Sequence, residues 1–102
     1  MPGGLKNALD WLSRLPWQPF KGKPMAIMGA ATGPLGTARM QYDLRRILHS
    51  LEAQVLLKPE IFISNAKAKF DDEGQLVDET TLKLIGDQMT ALERLIRREQ
   101  AA

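Results

Sequence analysis

Small residues fill positions 29–33, directly after an apolar run at positions 25–28. An apolar run that ends at a glycine, with an amphipathic pattern beyond it, predicts a buried strand, a tight loop and a helix. In open α/β sheets such loops lie at the carboxyl ends of strands, where ligands bind. Small residues let the backbone approach a flat ligand, and backbone N–H groups can donate to its carbonyl oxygens. An ordinary turn between strand and helix would also favour these glycines.

Few other residues suggest chemistry. The sequence has no cysteine, which excludes disulfides, cysteine-based zinc sites and thiol catalysis. The single histidine, His49, falls within a predicted helix, where a structural or surface role is expected. Asp71 and Asp72 precede Glu73 and Gly74 in a polar stretch without convergent partners, so we expect a solvated turn there. We therefore predict no metal site.

Composition is that of an ordinary globular domain. The chain has 102 residues, 25% of them charged, and a net charge of +2, which favours one domain covering residues 1–102. Basic residues alternate with acidic ones along the predicted helices, so a nucleic-acid partner is not expected. No apolar run is long enough to span a membrane and no signal peptide is visible, so we expect a cytoplasmic protein without a membrane partner.

The predicted elements alternate between helices and strands. We expect helices over residues 4–15 and 36–50, strands over 25–28 and 53–57, and an extended segment over 60–64 after Pro59. A last helix follows a cap at Asp78, with an inner stripe formed by Leu82, Ile85, Met89, Leu92 and Ile96. This order predicts an α/β fold with parallel strands. The continuous apolarity of residues 25–28 predicts burial on both faces and a further strand beside them.

Three ordered blocks of this sequence resemble the NAD(P)H-dependent FMN reductases. They are PGGLKNALDW at residues 2–11, the segment from Gly29 to Arg39 with glycines at 33 and 36, and KPE-x-F at residues 58–62. The resemblance extends over nearly the whole chain. It implies a flavodoxin-like fold, a five-stranded parallel sheet with helices on both faces. The chain would be its C-terminal portion, helix-strand-helix-strand-helix, with the first three strands of the fold missing.

The resemblance also implies a function. Such reductases bind FMN without a covalent link and transfer hydride from NADPH or NADH to quinone, chromate or azo-type acceptors. No catalytic acid, base or nucleophile is implied, because the flavin performs the redox chemistry. The residues that the resemblance places at the cofactor are Pro2, Gly3, Gly29, Ala30, Ala31, Thr32 and Gly33. Ala31 stands where the family carries a serine, so one hydroxyl is absent.

The resemblance also implies which partners the chain has. Arg39, Tyr42 and Glu60 match positions at the subunit interfaces of the family, which implies a homo-oligomer, either a dimer or a tetramer. The apolar strand at residues 25–28 also requires a partner. An alternative function is a non-catalytic assembly module, which would oligomerise through this strand without binding flavin.

Overall fold

Parallel strands lie between helices in the computed structural model, which describes residues 1–35 and 37–101. The elements of this described part are α1 (Gly3–Leu12), β1 (Pro24–Met25), β2 (Met28–Ala30), α2 (Ala38–Ser50), β3 (Gln54–Val55), β4 (Ile61–Ile63), α3 (Ala66–Lys69) and α4 (Glu79–Ala101). The α/β prediction with parallel strands is confirmed. Gly36, predicted to begin the second helix, lies outside the described residues. No helix in residues 1–35 or 37–101 is both long and apolar enough to cross a membrane.

The strands form two short parallel pairs. β1 pairs with β3, where Met25 lies opposite Val55, and β2 pairs with β4, where Gly29 lies opposite Phe62. Two residues separate β1 from β2, whereas five separate β3 from β4, so the second run must bulge. Pro59 lies in that bulge and has no N–H to donate. The single strand predicted over residues 25–28 is wrong in its bounds. β1 ends at Met25, and the separate strand β2 begins at Met28 and ends at Ala30.

Helices cover both faces of these strands. Leu9 of α1 and Leu48 of α2 form a buried cluster with Ile27. Successive side chains of a strand point to opposite faces. The ring of Phe62 lies against Tyr42 of α2, so the buried side chains of Ile61 and Ile63 face the other side, where α4 contacts β4. α1 and α2 thus lie on one face of the strands and α4 on the other.

α4 does not bury the stripe expected from the sequence. The residues it buries are Thr81, Gln88 and Leu95, spaced seven apart. In the predicted inner stripe, Leu82 is 47% exposed and Met89 is 43% exposed. A polar contact explains which face of α4 is buried. The Gln88 side-chain amide donates to the backbone carbonyl oxygens of Ile27 (2.9 Å) and Pro59 (3.3 Å). The helix turns its amide, not its apolar stripe, toward the interrupted strands.

Burial of β2 on both faces is also not observed. Met28 is 40% exposed, and within the described part of the chain β2 has a neighbouring strand on one side only, β4. α1 ends at Leu12, earlier than predicted, because the chain turns with backbone hydrogen bonds from Arg14 to Trp11 and from Leu15 to Leu12.

One predicted cap and one predicted turn are present in the structure. The Asp78 carboxylate accepts hydrogen bonds from the Thr81 backbone N–H (3.0 Å) and hydroxyl (2.6 Å), and these bonds hold the pKa of Asp78 below its usual range. Asp71 accepts from the backbone N–H groups of Glu73 (2.9 Å) and Gln75 (2.8 Å), which makes the acidic pair part of a turn. The short helix α3 before this turn was not predicted.

Candidate functional site

The loop after β2 is fixed to the chain that follows β4. The Ala31 N–H donates to the Ile63 carbonyl oxygen at 2.9 Å. In return, the Ala31 carbonyl oxygen accepts from the Ala66 N–H and the Gly33 carbonyl oxygen from the Asn65 N–H, both at 3.0 Å. Asn65 adopts a left-handed conformation, with a φ of 49°, that turns the chain at this point. Three backbone hydrogen bonds therefore hold residues 31–33 in one position.

Two donors of this loop are unused. Within residues 1–35 and 37–101, no hydrogen bond engages the backbone N–H of Thr32 or of Gly33. Both residues are exposed, as is Ala30, whereas Ala31 is half-buried. Backbone N–H groups at the end of a parallel strand can donate to the carbonyl oxygens of a bound ring. The predicted loop is therefore present, although Gly29 and Ala30 belong to β2 and the Ala31 N–H is already used by Ile63.

The two glycines of this segment serve different purposes. A Cβ at Gly29 would overlap the side chain of Thr37, lying 2.9 Å from its Cβ and Cγ2 atoms and closer still to its hydroxyl. Glycine at this position is thus required by the approach of α2 to β2, whether or not a ligand binds. A Cβ at Gly33 would meet no described residue within 4 Å. The fold leaves the space at Gly33 open to a ligand.

Gln41 holds the start of α2, next to the loop, against β4. This role was not predicted from the sequence. Its side-chain amide donates to the Thr37 hydroxyl (2.8 Å) and to the Ile61 carbonyl oxygen (2.7 Å), and the residue is fully buried. These bonds join the first turn of α2 to β4. The available signal was spacing, since Gln41 lies seven residues before Leu48 on the inner side of the predicted helix.

Pro2 and Gly3, which the resemblance also assigns to the cofactor site, share no hydrogen bond with the loop in the described part of the chain. Pro2 is the N-cap residue of α1 and its carbonyl oxygen accepts from the Lys6 N–H at 3.1 Å, and Gly3 begins the helix. Both are exposed. No hydrogen bond among the described residues connects them with residues 29–33, so the structure does not group them with the loop.

One concave surface adjoins the first turn of α2 and another adjoins its C-terminal half. A cavity of about 320 Å³ adjoins the loop, and its lining is Leu35, Thr37, Ala38, Arg39 and Met40. A larger cavity of about 510 Å³ lies at the C-terminal half of the helix, where Arg45, Arg46 and His49 contribute to its lining. In the described part of the chain no group of three acidic, histidine or cysteine side chains could hold a metal ion.

Charged and aromatic side chains form a second group, here called the Glu60 cluster: Tyr42, Arg45, Lys58 and Glu60. The Lys58 ammonium lies 2.6 Å from the Glu60 carboxylate and, with Tyr42, holds the pKa of Glu60 below its usual range. The carboxylate in turn raises the pKa of the Tyr42 hydroxyl. The structure thus brings Tyr42 and Glu60 together, and their predicted place at a subunit interface stays a prediction. Arg39 is exposed and forms no ion pair within the described residues.

The Glu60 cluster contains buried polar atoms that lack partners. Arg45 donates through Nη1 to the Leu56 carbonyl oxygen at 2.9 Å, whereas its Nε and Nη2 atoms are buried and unpaired among the described residues. Oε2 of Glu60 is buried and likewise receives no hydrogen bond of normal geometry there. Unsatisfied buried groups of this kind are costly. The side chains of the cluster that another surface could reach are the exposed ones, Lys58 and Tyr42.

The chain is similar in sequence to known reductases. The sequence pattern described as NADPH-dependent FMN reductase matches residues 1–68. An NAD(P)H-dependent FMN reductase of Pseudomonas aeruginosa is 52% identical over 98 residues, which are 96% of this chain and 53% of that protein. A quinone reductase of Escherichia coli is 48% identical over 99 residues, with the same shares covered.

A solved structure agrees with the sequence matches. The flavoenzyme NAD(P)H:(acceptor) oxidoreductase FerB from Paracoccus denitrificans superposes with a TM-score of 0.77 at 32% identity, covering 94% of this chain and 54% of FerB. The chain spans about half the length of the relatives it matches. Sequence pattern, relatives and fold agree on one conclusion: the chain belongs to the NADPH-dependent FMN reductase family.

Proposed function

We propose that this chain is the C-terminal portion of an NAD(P)H-dependent FMN reductase and supplies one side of its flavin site. The observation that carries the proposal is the loop at residues 31–33, whose position is fixed by backbone bonds while two of its N–H donors have no partner among residues 1–35 and 37–101. A loop that the fold already holds can bind a ligand without a further ordering cost.

The residues of the loop fit the flavin ring in chemistry and in size. The N–H groups of Thr32 and Gly33 would donate to ring carbonyl oxygens, and the open space at Gly33 would accept the ring edge. Ala31 and Ala30 are small enough to leave the ring face accessible. Bound FMN would supply the redox chemistry, accepting hydride from NAD(P)H and passing electrons to an acceptor.

The role of this chain is then positioning. Gly29 allows α2 to approach β2, and Thr37 and Gln41 hold the first turn of α2 against β4. The loop between these elements therefore keeps its donors in place during turnover. For the acceptor we propose a quinone, since relatives include the quinone reductase of E. coli and a 2-hydroxy-1,4-benzoquinone reductase of Burkholderia, 42% identical over 87 residues.

A chimera tests the proposal directly. The chain would replace the half of the Pseudomonas aeruginosa reductase that it matches, joined to the remainder of that enzyme. We expect the chimera to retain FMN through gel filtration and to oxidise NADPH in the presence of a quinone. A chimera with a folded circular dichroism spectrum that neither retains nor binds added FMN would refute the proposal.

Substitutions in the chimera locate the contact. Gly33→Ala places a methyl group where the ring is proposed to lie, and the expected rise in the FMN dissociation constant is about tenfold. Gly4→Ala adds the same methyl group at another open position and should leave FMN binding unchanged. Ala31→Ser restores the hydroxyl typical of the family and should tighten binding. Equal FMN affinity in the Gly33→Ala and Gly4→Ala chimeras would place the ring elsewhere.

We further propose that the chain forms a homo-oligomer through the Glu60 cluster. A two-fold contact brings the same patch of two copies together, so a patch with both donors and acceptors can be complementary to itself. The exposed side chains of Lys58 and Tyr42 meet this condition, since the ammonium donates and the phenol hydroxyl can both donate and accept. Tyr42, 54% exposed, adds an aromatic surface of the kind enriched at interfaces.

Light scattering tests this assembly. The chain is expected to elute as a dimer or larger species, and Tyr42→Ala combined with Glu60→Gln should shift it toward the monomer. Glu93→Gln, on the exposed face of α4, serves as the control. A monomeric wild-type chain would refute the oligomer. An oligomer that binds no FMN, even as the chimera, would instead favour an assembly module.

A further inference from the structure

The cavity at the C-terminal half of α2 is lined by basic and apolar side chains. Its volume is about 510 Å³, and among the described residues no acidic side chain contributes to its lining. Asp43 reaches the rim only through Arg46, at 3.9 Å, which is the longest ion pair of the described chain. The lining includes two guanidinium groups, one imidazole and three apolar side chains: Arg45, Arg46, His49, Ala53, Val55 and Leu57.

Arg45, which also belongs to the Glu60 cluster, is held in place at the wall of this cavity. Its Nη1 atom donates to the Leu56 carbonyl oxygen at 2.9 Å, and the side chain is half-buried. Arg45 forms no ion pair among the described residues, and the Glu60 carboxylate within reach of its charge is already paired with Lys58 at 2.6 Å. A positioned guanidinium that is partly withdrawn from water attracts an anion without a large ordering cost.

The outer edge of β3 adds a backbone donor beside these charges. β3 pairs only with β1, toward which the N–H groups of Gln54 and Leu56 point. Successive N–H groups of a strand point in opposite directions, so that of Val55 points away from β1. It has no acceptor among residues 1–35 and 37–101. Val55 also lines the cavity, so an anion bound at this edge has an N–H donor available as well as positive charge.

This cavity is separate from the proposed flavin site. Thr37, at the start of α2, adjoins Gly29 beside the loop, whereas His49 is the last residue but one of the helix. Twelve residues of helix separate the two positions by about 18 Å along the axis. A small ligand in the cavity would therefore not touch a flavin at the loop, and the inference does not depend on the proposed function.

We propose that this cavity binds a small organic anion that carries a carboxylate on an apolar group. The carboxylate would lie beside the guanidinium groups of Arg45 and Arg46, because planar guanidinium matches carboxylate in shape and charge. The apolar group would cover Ala53, Val55 and Leu57, the last of which is 75% exposed. An inorganic anion would leave these apolar side chains in water, so an organic carboxylate fits the lining better.

Titration with phenylacetate tests the proposal, and His49 reports it. His49 is the only histidine, so its imidazole gives a single signal in the proton NMR spectrum of the chain. We expect this signal to shift saturably, with a dissociation constant below about 1 mM. Phenylacetamide, the uncharged analogue, and phosphate, which has no apolar group, should each bind at least about tenfold more weakly. Titration calorimetry repeats the measurement on the chimera, which contains a whole domain.

Substitutions assign the binding to this cavity. Arg46→Gln should weaken phenylacetate binding about fivefold or more, and Leu57→Ser should weaken it as well. Arg97→Gln is the matched control, because it also removes one exposed guanidinium and one ion pair within a helix, with Glu93 instead of Asp43. Circular dichroism verifies that the variants fold. The proposal is overturned by binding that does not saturate, by equal affinity for phenylacetate and phenylacetamide, or by equal affinity of the Arg46→Gln and Arg97→Gln variants.

Discussion

Replacing Gly29 by alanine probes the contact between β2 and α2. The new methyl group would overlap Thr37, whose hydroxyl accepts the hydrogen bond from the buried Gln41 amide. Inserting a methyl group into a packed contact costs about 1–3 kcal/mol. Moving Thr37 also weakens its bond with Gln41, which contributes about 1 kcal/mol. We therefore expect Gly29→Ala to lower the free energy of unfolding by about 2–4 kcal/mol.

Urea unfolding followed by far-ultraviolet circular dichroism measures this loss. For a domain of this size the equivalent fall in melting temperature is about 10–20 °C. Gly33→Ala is the control from the same loop, since its methyl group meets no atom of the described residues within 4 Å, and it should change stability by less than about 0.5 kcal/mol.

A double-mutant cycle tests the cause. Thr37→Gly removes the three atoms nearest to the new methyl group, so Gly29→Ala should cost at least about 1 kcal/mol less in that background. If Gly29→Ala costs the same with and without the Thr37 side chain, or no more than Gly33→Ala, the steric explanation is wrong.

Three further predictions use other contacts. Gln88→Met should lower the free energy of unfolding by about 1–3 kcal/mol in urea unfolding, because the buried carbonyl oxygen of Ile27 and the half-buried one of Pro59 lose their side-chain donor. The pKa of Asp78 is lower in the folded state, so its contribution is complete above its ordinary value of 3.8 and is lost as pH falls through the folded value. The stability difference between wild type and Asp78→Ala, measured by urea unfolding across pH, should therefore narrow below about pH 4. Tyr42 is the only tyrosine, and Glu60→Gln should lower the pKa of its hydroxyl in a phenolate absorbance titration.

Controls for these predictions lie on the exposed surface of α4. Gln100→Met makes the same change as Gln88→Met without a buried partner, and equal losses of stability would contradict the role of the Gln88 amide. Glu93→Gln removes a carboxylate distant in sequence from Tyr42, and an equal change in the phenolate titration would contradict the local effect of Glu60. A stability difference for Asp78→Ala that is constant down to pH 2 would exclude the carboxylate as its source.

The sequence was sufficient for those features that depend on local patterns. The alternation of apolar runs predicted parallel strands between helices, and residues 29–33 were placed at the end of a strand. Asp78 was recognised as a cap because capping depends on a few neighbouring residues. Resemblance to the reductase family predicted the membership that the relatives confirm.

The remaining features depend on contacts between distant residues. Nothing in the apolar run at residues 25–28 reveals its interruption, which reflects Pro59 in the partner run and Gln88 in α4. Periodicity assigns polar residues to the outside of a helix, so the buried Gln41 and Gln88 were missed. Periodicity likewise assigned the apolar stripe of α4 to the core. Leu82, Met89 and Ile96 of this stripe are instead exposed, because no strand or helix of the described chain covers them.

Gln88 has a consequence for how α4 is aligned along the strands. A helix of 23 residues with apolar side chains on several faces could slide by one turn and bury a similar surface. Such a slip would move Gln88 about 5.4 Å along the helix axis, beyond reach of the carbonyl oxygens of Ile27 and Pro59. Leu84 or Leu92 would then occupy its place and could donate no hydrogen bond. A single buried amide thus sets the register of the longest helix, in the way that one polar residue sets the register of a coiled coil.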